Sequence, residues 1–496
     1  MPKLFQNQLI FTTMKTKELL HELQSLHDKM VAIETDKASV IKNVMPQHQK
    51  SATNLLNYLV FRSENIHTLQ ETLHAYGLSS LASSESHIKA QLDNVMKLLG
   101  HKKAASNSPD FYDGLNQLQQ NTENLFGHQS AKNIPFIMVT IDSEFAHDVK
   151  YIAKLLKNGM NIARINCAHD DESMWLTMLH SIKKAAVRSD LSCKVYMDLA
   201  GPKIRTQIVG KGHKSGKLAV ALDDEVLLLE PHIKPPKHTK AISCTLPNIV
   251  KCLENGQRVL FDDGVFEAIV EDAAEDAALL KITRISAQKP SIKAEKGINF
   301  PDTSFQVNPL TEFDLTCLPF VVEHADMLGY SFVNKAADIA ELHAQLTLLN
   351  KPDFPIIAKI ETNEAVNNLP SLLLESMRKR SFGVMIARGD LAVEIGFERL
   401  SEIQEEILWI CEAAHTPVIW ATQVLESLHK QGLATRSEVT DAAHAALAEC
   451  VMLNKGSHTL EVLKTLQDIL SRSRQHNYKQ RHIFRELGIA KKFLQG

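Results

Sequence analysis

From Ile134 onward, short apolar runs rich in β-branched residues alternate with longer stretches in which apolar positions recur every three or four residues. The runs are Phe136 to Ile141, Met160 to Ile165, Lys194 to Asp198, Asp326 to Val333, Pro355 to Ile360, Gly383 to Ala387, Pro417 to Ala421 and Cys450 to Leu453. Strands apolar on both faces belong to covered parallel sheets, and eight of them separated by helices favour a closed (β/α)8 barrel over an open sheet. One interval breaks the rhythm. About 125 residues follow Asp198 before the next run, far beyond an ordinary crossover. Within it, Gly, Asp and Lys turns separate Lys217 to Leu222, Val226 to Leu229, Val259 to Phe261, Val265 to Val270 and Ala278 to Ile282, the pattern of a small all-β domain inserted in a loop. Because it leaves from the C-terminal end of a strand, the insert is expected over the barrel mouth as a lid.

Before Ile134 the periodicity is helical. Leu19, Leu23, Leu26 and Met30 form one stripe, and Leu55, Leu59, Ile66, Leu69 and Leu73 form others, which read as core faces. Ser84 or Ser86 is expected to cap a helix carrying Ile88, Leu92, Val95 and Leu99, and Gly100 to Asp110 reads as a loop. His67, His74, His87 and His101 lack a ligand spacing, so no metal is assigned to them. The expected organisation is an α-helical N-terminal region over 1–133, a barrel from 134–203 and 298–475, a β-barrel-like lid over 204–297 and a C-terminal tail over 476–496.

Composition narrows the class. The 496 residues are 44% hydrophobic and 23% charged, as in soluble globular proteins of several domains. A net charge of −3 carries no footprint of nucleic acid. The seven cysteines are scattered and never form C-x-x-C, which suggests reduced thiols and a cytoplasmic protein. No stretch approaches the roughly 18 apolar residues of a membrane span, and Met1 to Thr13 is too poor for a signal peptide.

The candidate chemistry gathers where strands end. In Pro355-Ile-Ile-Ala-Lys359-Ile-Glu361, alternation puts Lys359 and Glu361 on one face, and Asp390 follows directly on the next run. Two carboxylates at one end of a parallel barrel form a plausible divalent-metal site, with a structural ion pair as the competing reading. Arg164 and Asn166 share a face, Asp198 precedes Lys203 and Arg205, and Thr422 and Gln423 close another strand. Cations surrounding carboxylates on one rim describe a site for a metal and an anionic, phosphorylated substrate.

At these residues the chain resembles the pyruvate kinases. The resemblance rests on Ala358-Lys-Ile-Glu361, Met385-Ile-Ala-Arg-Gly-Asp-Leu391, Ala421-Thr-Gln-Val-Leu-Glu-Ser427 and Thr435-Arg-Ser-Glu-Val-Thr-Asp441. Asp262-Asp263-Gly264 and Lys296-Gly-Ile-Asn-Phe-Pro301 resemble the family's lid landmarks. It covers about 134–471, leaving out the helical N-terminal region and the family's usual C-terminal domain, so effector control by sugar phosphates is not expected. The resemblance implies phosphoryl transfer from phosphoenolpyruvate to ADP, giving pyruvate and ATP in glycolysis. It implies Glu361 and Asp390 as ligands of Mg2+ or Mn2+, and Lys359 and Arg164 at the phosphoryl group. The backbone at Gly389 and Asp390 would hold the substrate carboxylate, and Thr422 would sit beside the carbon to be protonated. Asn166, His169, Arg205, Lys296 and one of Asp262 or Asp263 would border the nucleotide or its metal. A homo-oligomer is expected.

Departures from the family pattern sharpen these expectations. Ala168 and Leu199 stand where K+-binding hydroxyls would be, and Lys203 stands where K+-dependent members have Glu. The chain thus resembles the K+-independent branch, with Lys203 as substitute for the monovalent cation. Ala200, Asp142-Ser143 and Asn454-Lys-Gly-Ser457 also depart from the family. Two other readings compete: a Mg2+-dependent lyase or aldolase acting on pyruvate through enolate chemistry, and a scaffold in which the barrel has drifted. The lyase would need no nucleotide-closing lid.

Overall fold

The computed structural model describes residues 14–101, 108–128, 134–286, 291–305, 307–479, 481–482 and 489. Eight parallel strands close a barrel: β1 (Phe136–Thr140), β2 (Ile162–Asn166), β3 (Lys194–Asp198), β4 (Met327–Tyr330), β5 (Ile356–Ile360), β6 (Phe382–Ala387), β7 (Val418–Ala421) and β8 (Cys450–Leu453). Each strand pairs with its neighbours in chain order, and β8 returns to β1 through Phe136 opposite Cys450. All eight coincide with the apolar runs of the sequence to within a few residues.

Alternation along these strands builds the interior in layers. Phe136, Met138, Ile162, Tyr196, Met327, Ile357, Met385, Ile419, Cys450 and Met452 fill the lower and middle barrel as one apolar cluster. One step further along the same inward faces come Thr140, Arg164, Asp198 and Lys359. The polarity of the site is therefore a continuation of the core register, one layer higher.

The insert forms a seven-stranded sheet with a hydrophobic core of its own, including Val226, Leu228, Phe261, Phe266 and Leu280. Its last strand is Ile298–Asn299, which pairs with Arg258–Phe261. The lid thus extends past the expected boundary at 297, because Ile298 completes the lid core before the chain returns to the barrel.

Besides a short helix at Ala38–Asn43, the N-terminal helices are α1 (Thr16–Asp36), α2 (Gln49–Ser63), α3 (His67–Ala75), α4 (Ile88–Leu98) and α5 (Phe111–Phe126). Leu19, Leu23, Leu26, Met30, Leu55, Leu69 and Leu73 are buried as the stripes require, in the same apolar core as the barrel's outer layer. The cap of α4 differs from expectation. A 3-10 turn, Glu85–His87, intervenes, and the Ser84 hydroxyl is spent on the Leu81 carbonyl. The Ile88 N–H donates instead to Asn54 Oδ1 of α2 at 3.2 Å, so the cap comes from a neighbouring helix. Most of the loop expected over Gly100 to Asp110, the segment Met1 to Thr13, and most of the tail beyond Lys479 lie outside the described residues.

Helix α5 carries the functional consequence of this region. Its last turn sends Leu125 and Phe126 into the barrel's interior cluster, with the Phe126 ring 5.5 Å from Phe136. Gly383 makes room: a Cβ there would lie 2.8 Å from Leu125 Cδ2. The helical region is thus a plug in the N-terminal mouth of the barrel, leaving the C-terminal mouth open beneath the lid.

Candidate active site

A cavity of about 280 Å³ occupies the C-terminal mouth. It is lined by Arg164, Asn166, His169, Lys203, Arg205, Lys359, Glu361, Asp390 and Thr422, which four strand ends and the lid hinge bring together. Gly389 adjoins through its N–H, which donates to Thr422 Oγ1 at 2.9 Å. Lys296 is not among the lining residues; it lies in the lid, with its ammonium 3.2 Å from Asp262 Oδ1.

The charges interlock. Asp198, 1% exposed, accepts from Arg164 Nε at 2.6 Å and from the Tyr196 phenol, and lies 3.7 Å from Lys359 Nζ. Lys359 also reaches Glu361 Oε1 at 3.1 Å and donates to Ser331 Oγ at 2.7 Å. Burial alone would lower the Lys359 ammonium; Asp198 and Glu361 outweigh it and hold its pKa above the ordinary lysine value. For Glu361 burial dominates and raises the carboxyl, opposed by Lys359 and reinforced by Asp390. A backbone donor steadies it: the Phe332 N–H bonds Glu361 Oε2 at 2.7 Å.

Lys203 comes from the lid hinge and meets Asp390 Oδ1 at 2.8 Å. Its ion pair is therefore with the carboxylate expected to hold a divalent metal, not with Asp198 or Asn166. Burial opposes its charge, but Asp390, Asp263 of the lid and Glu361 raise its pKa. Lys203 links lid and barrel through charge. Arg205 lies beside it, with its side chain on the Glu295 carbonyl at 3.0 Å. His169 reports the local potential: burial lowers its pKa, and Lys455, Arg205 and Arg164 lower it further.

Thr422 is held in an unfavourable backbone. Its φ of 67° is rare for a β-branched residue, and Gln423 and Leu425 follow at 54° and 51°. Arg388 fixes this turn from below: it donates to the Ala421 carbonyl at 3.0 Å and to the Thr422 carbonyl, pairs with Asp441, and stacks over Trp420 at 4.5 Å. Since Thr422 Oγ1 already accepts the Gly389 N–H, its own hydroxyl proton is free to point into the cavity.

Glu361 and Asp390 supply hard carboxylate oxygens of the type Mg2+ and Mn2+ take. Each now has an ammonium partner, and their mutual repulsion shows in the raised Glu361 carboxyl. Among the described residues no group of three or more His, Cys, Asp or Glu side chains is arranged to hold a metal ion. The pair suits an ion that keeps most of its shell for substrate oxygens and water.

Ser331, Phe332, Thr140 and Asn454 were not legible as site residues. The run Asp326 to Val333 marked the fourth strand, and extending its alternation to Ser331 would have pointed there. Two departures from the family pattern meet in space, with Lys455 Nζ 3.5 Å from Asp142 Oδ2.

Fold and site together define a (β/α)8-barrel protein whose lid-covered mouth gathers cations around carboxylates. A family model for the pyruvate kinase barrel domain matches residues 135–459, and the chain belongs to the pyruvate kinase family. It is 31% identical over 336 residues to a pyruvate kinase of Bacillus licheniformis, covering 66% of this chain and 55% of the relative. It is 30% identical over 358 residues to human pyruvate kinase PKLR, covering 69% and 60%. A crystal structure of a pyruvate kinase from Cryptosporidium parvum is similar with a TM-score of 0.62 and 26% identity, over 71% of this chain and 72% of that one. The matched part thus spans 55 to 60% of the length of these curated relatives.

Proposed function

We propose that this chain transfers the phosphoryl group of phosphoenolpyruvate to ADP, giving pyruvate and ATP. The observation that carries the reading is the buried constellation of Arg164, Lys359 and Glu361 facing Asp390 and Thr422 under a lid tied down by Lys203. A transferring phosphoryl group spreads negative charge over its oxygens, so its catalysis is mainly positioning and electrostatic stabilisation. Lys359, kept protonated by two carboxylates, and Arg164, kept in place by Asp198 and Thr140 Oγ1 at 3.0 Å, supply fixed positive charge where water is largely excluded. Glu361 and Asp390 would hold Mg2+ or Mn2+, which when bound neutralises phosphoryl and carboxylate oxygens. The first turn of helix Arg388–Ile395 offers backbone donors to the substrate carboxylate, the Asp390 N–H among them. Thr422 presents a hydroxyl proton toward the enolate carbon, with water as the ultimate source. Asn166, His169 and Arg205 border the nucleotide, and Lys296 reaches it when the lid closes.

K+ is not required in this reading. Ala168 and Leu199 offer no side-chain oxygen, and Asp198 is already neutralised by Arg164 and Lys359. We also assign the protein to the cytoplasm; no helix among the described residues is long and apolar enough to cross a membrane. The test is pyruvate formation from phosphoenolpyruvate and Mg2+, with and without ADP, in K+ and in tetramethylammonium buffers. Turnover that needs ADP and survives removal of K+ is expected. ADP-independent turnover of other pyruvate donors would favour a lyase, no turnover a scaffold, and collapse without K+ would overturn the K+ independence of this reading.

A further inference from the structure

We infer that Tyr196 is a positioning residue of this site: from beneath the mouth its phenol fixes the Asp198 carboxylate, which in turn holds both Arg164 and Lys359. The inference rests on the proposed transfer for its consequence, but its geometry stands alone. Tyr196 points inward from β3 two residues before Asp198, is fully buried, and belongs to the apolar interior cluster rather than to the cavity lining. A phenol in such a place needs an acceptor, and it donates to Asp198 Oδ1. Asp198, equally dry, needs its lone pairs satisfied; among the described residues Oδ2 takes Arg164 Nε, whereas Oδ1 has only Tyr196 and an ammonium 3.7 Å away.

The neighbouring strand is built to admit this ring. In the β3–β4 register Gly329 stands opposite Asp198. A Cβ on Gly329 would lie 2.6 Å from Tyr196 Cζ and would overlap both the phenol oxygen and the Asp198 carboxylate. Tyrosine on one strand and glycine on the next therefore form a complementary pair whose product is one oriented carboxylate. Without the phenol, Asp198 Oδ1 is left to the ammonium alone. The carboxylate then turns toward Lys359 and draws it from Ser331 and Glu361, the positions that aim it into the cavity. The electrostatics agree: burial would raise the Asp198 carboxyl, and Lys359, Arg164 and the Tyr196 bond together hold it below its ordinary range.

Tyr196→Phe, Asp198→Asn and the double variant test this as a cycle, with thermal melting to confirm folding. In the unaltered background Tyr196→Phe is expected to lower kcat at least about tenfold and to weaken phosphoenolpyruvate binding at least about fivefold, measured by calorimetry with Mg2+ and no ADP. KM for ADP should stay within about twofold, because the nucleotide residues are untouched. In the Asp198→Asn background both losses should vanish. Gly329→Ala, which crowds the phenol from the other side, should reproduce the signature. Unchanged kcat and affinity, or equal losses in both backgrounds, would overturn the role. Binding without turnover in the unaltered chain would count against the transfer reading alone, with the affinity cycle still deciding for Tyr196; absence of both would overturn both.

Discussion

At the C-terminal mouth Asp198 is buried and Arg164 and Lys359 are mostly buried as ions, each against an opposite charge. At the N-terminal mouth, around the Leu125 and Phe126 plug, the buried polar groups are mostly neutral. His415 takes Ser51 Oγ at 2.9 Å and the Ser86 carbonyl at 2.9 Å, and its own carbonyl accepts from Asn121 at 2.7 Å. Burial pushes His415 and His87 down to about 4, and burial pushes the Glu412 carboxyl up to about 8 despite Lys479. The buried Lys479–Glu449 pair is an exception there. Both ends hold strongly perturbed groups, so perturbation alone does not mark the active site. What distinguishes the ends is which influence prevails at their central groups: burial prevails at His415, His87 and Glu412, whereas opposite charge prevails at Arg164, Lys359 and Asp198, with Glu361 and His169 the groups at the mouth where burial still leads.

The largest effect should come from breaking the ionic end. Lys359→Met removes the cation shared by Asp198 and Glu361, and ADP-dependent pyruvate formation should fall by at least about 1000-fold. The fold should survive, because Glu361 relieves its isolation by taking a proton, as its raised carboxyl already favours. Circular dichroism would check this. Turnover above a tenth of the unaltered rate would remove Lys359 from the chemistry and make the mouth as structural as the base.

Breaking the neutral end should do the reverse. Phe126→Ala empties the plug beneath Phe136 and should cost about 3–5 kcal/mol in urea unfolding. Turnover per folded molecule should remain within about twofold, since no charge at the mouth moves. A comparable loss of kcat would show that the two ends are mechanically coupled.

The sequence exposed these ends unequally. The barrel strands, the lid and Lys359, Glu361 and Arg164 could be read because period-two alternation carries a side chain's face directly from its position, and Asp390 because it follows directly on a strand. Tyr196 could not: it obeys the same alternation as its apolar neighbours, and only the missing side chain of Gly329 on another strand reveals what its hydroxyl meets. Leu125 and Phe126 looked like the apolar end of an ordinary amphipathic helix, because periodicity states that a face is buried but not against what. The cap of α4 failed for the same reason, since Asn54 lies 34 residues away from Ile88. Lys203 was legible as a rim cation, yet its choice of Asp390 depends on how the lid hinge folds back. Local pattern determines the face; long-range packing determines the partner.

The smallest effect is also the finest test of that contrast. His415 and His87 stay neutral in the fold to about pH 4, whereas in the unfolded chain they take up protons below about pH 6.5. The contribution of these two histidines to stability should therefore be full above about pH 6.5 and be lost as the pH drops toward 4, by about 3 kcal/mol for each histidine, while Glu412, raised to about 8, contributes with the opposite sign as the pH falls from about 8 to about 4.5. At the mouth Asp198, held below its ordinary range, titrates lower, and Glu361, raised by burial, contributes with the opposite sign. His415→Asn suits the left-handed φ of 49° at that position and keeps a side chain able to hydrogen-bond. Relative to the unaltered chain it should lose about 3 kcal/mol less stability in urea unfolding between pH 6.5 and 4, while costing only about 1 kcal/mol at pH 8. An unchanged slope would mean that the histidine network of the base is not where the acid sensitivity resides.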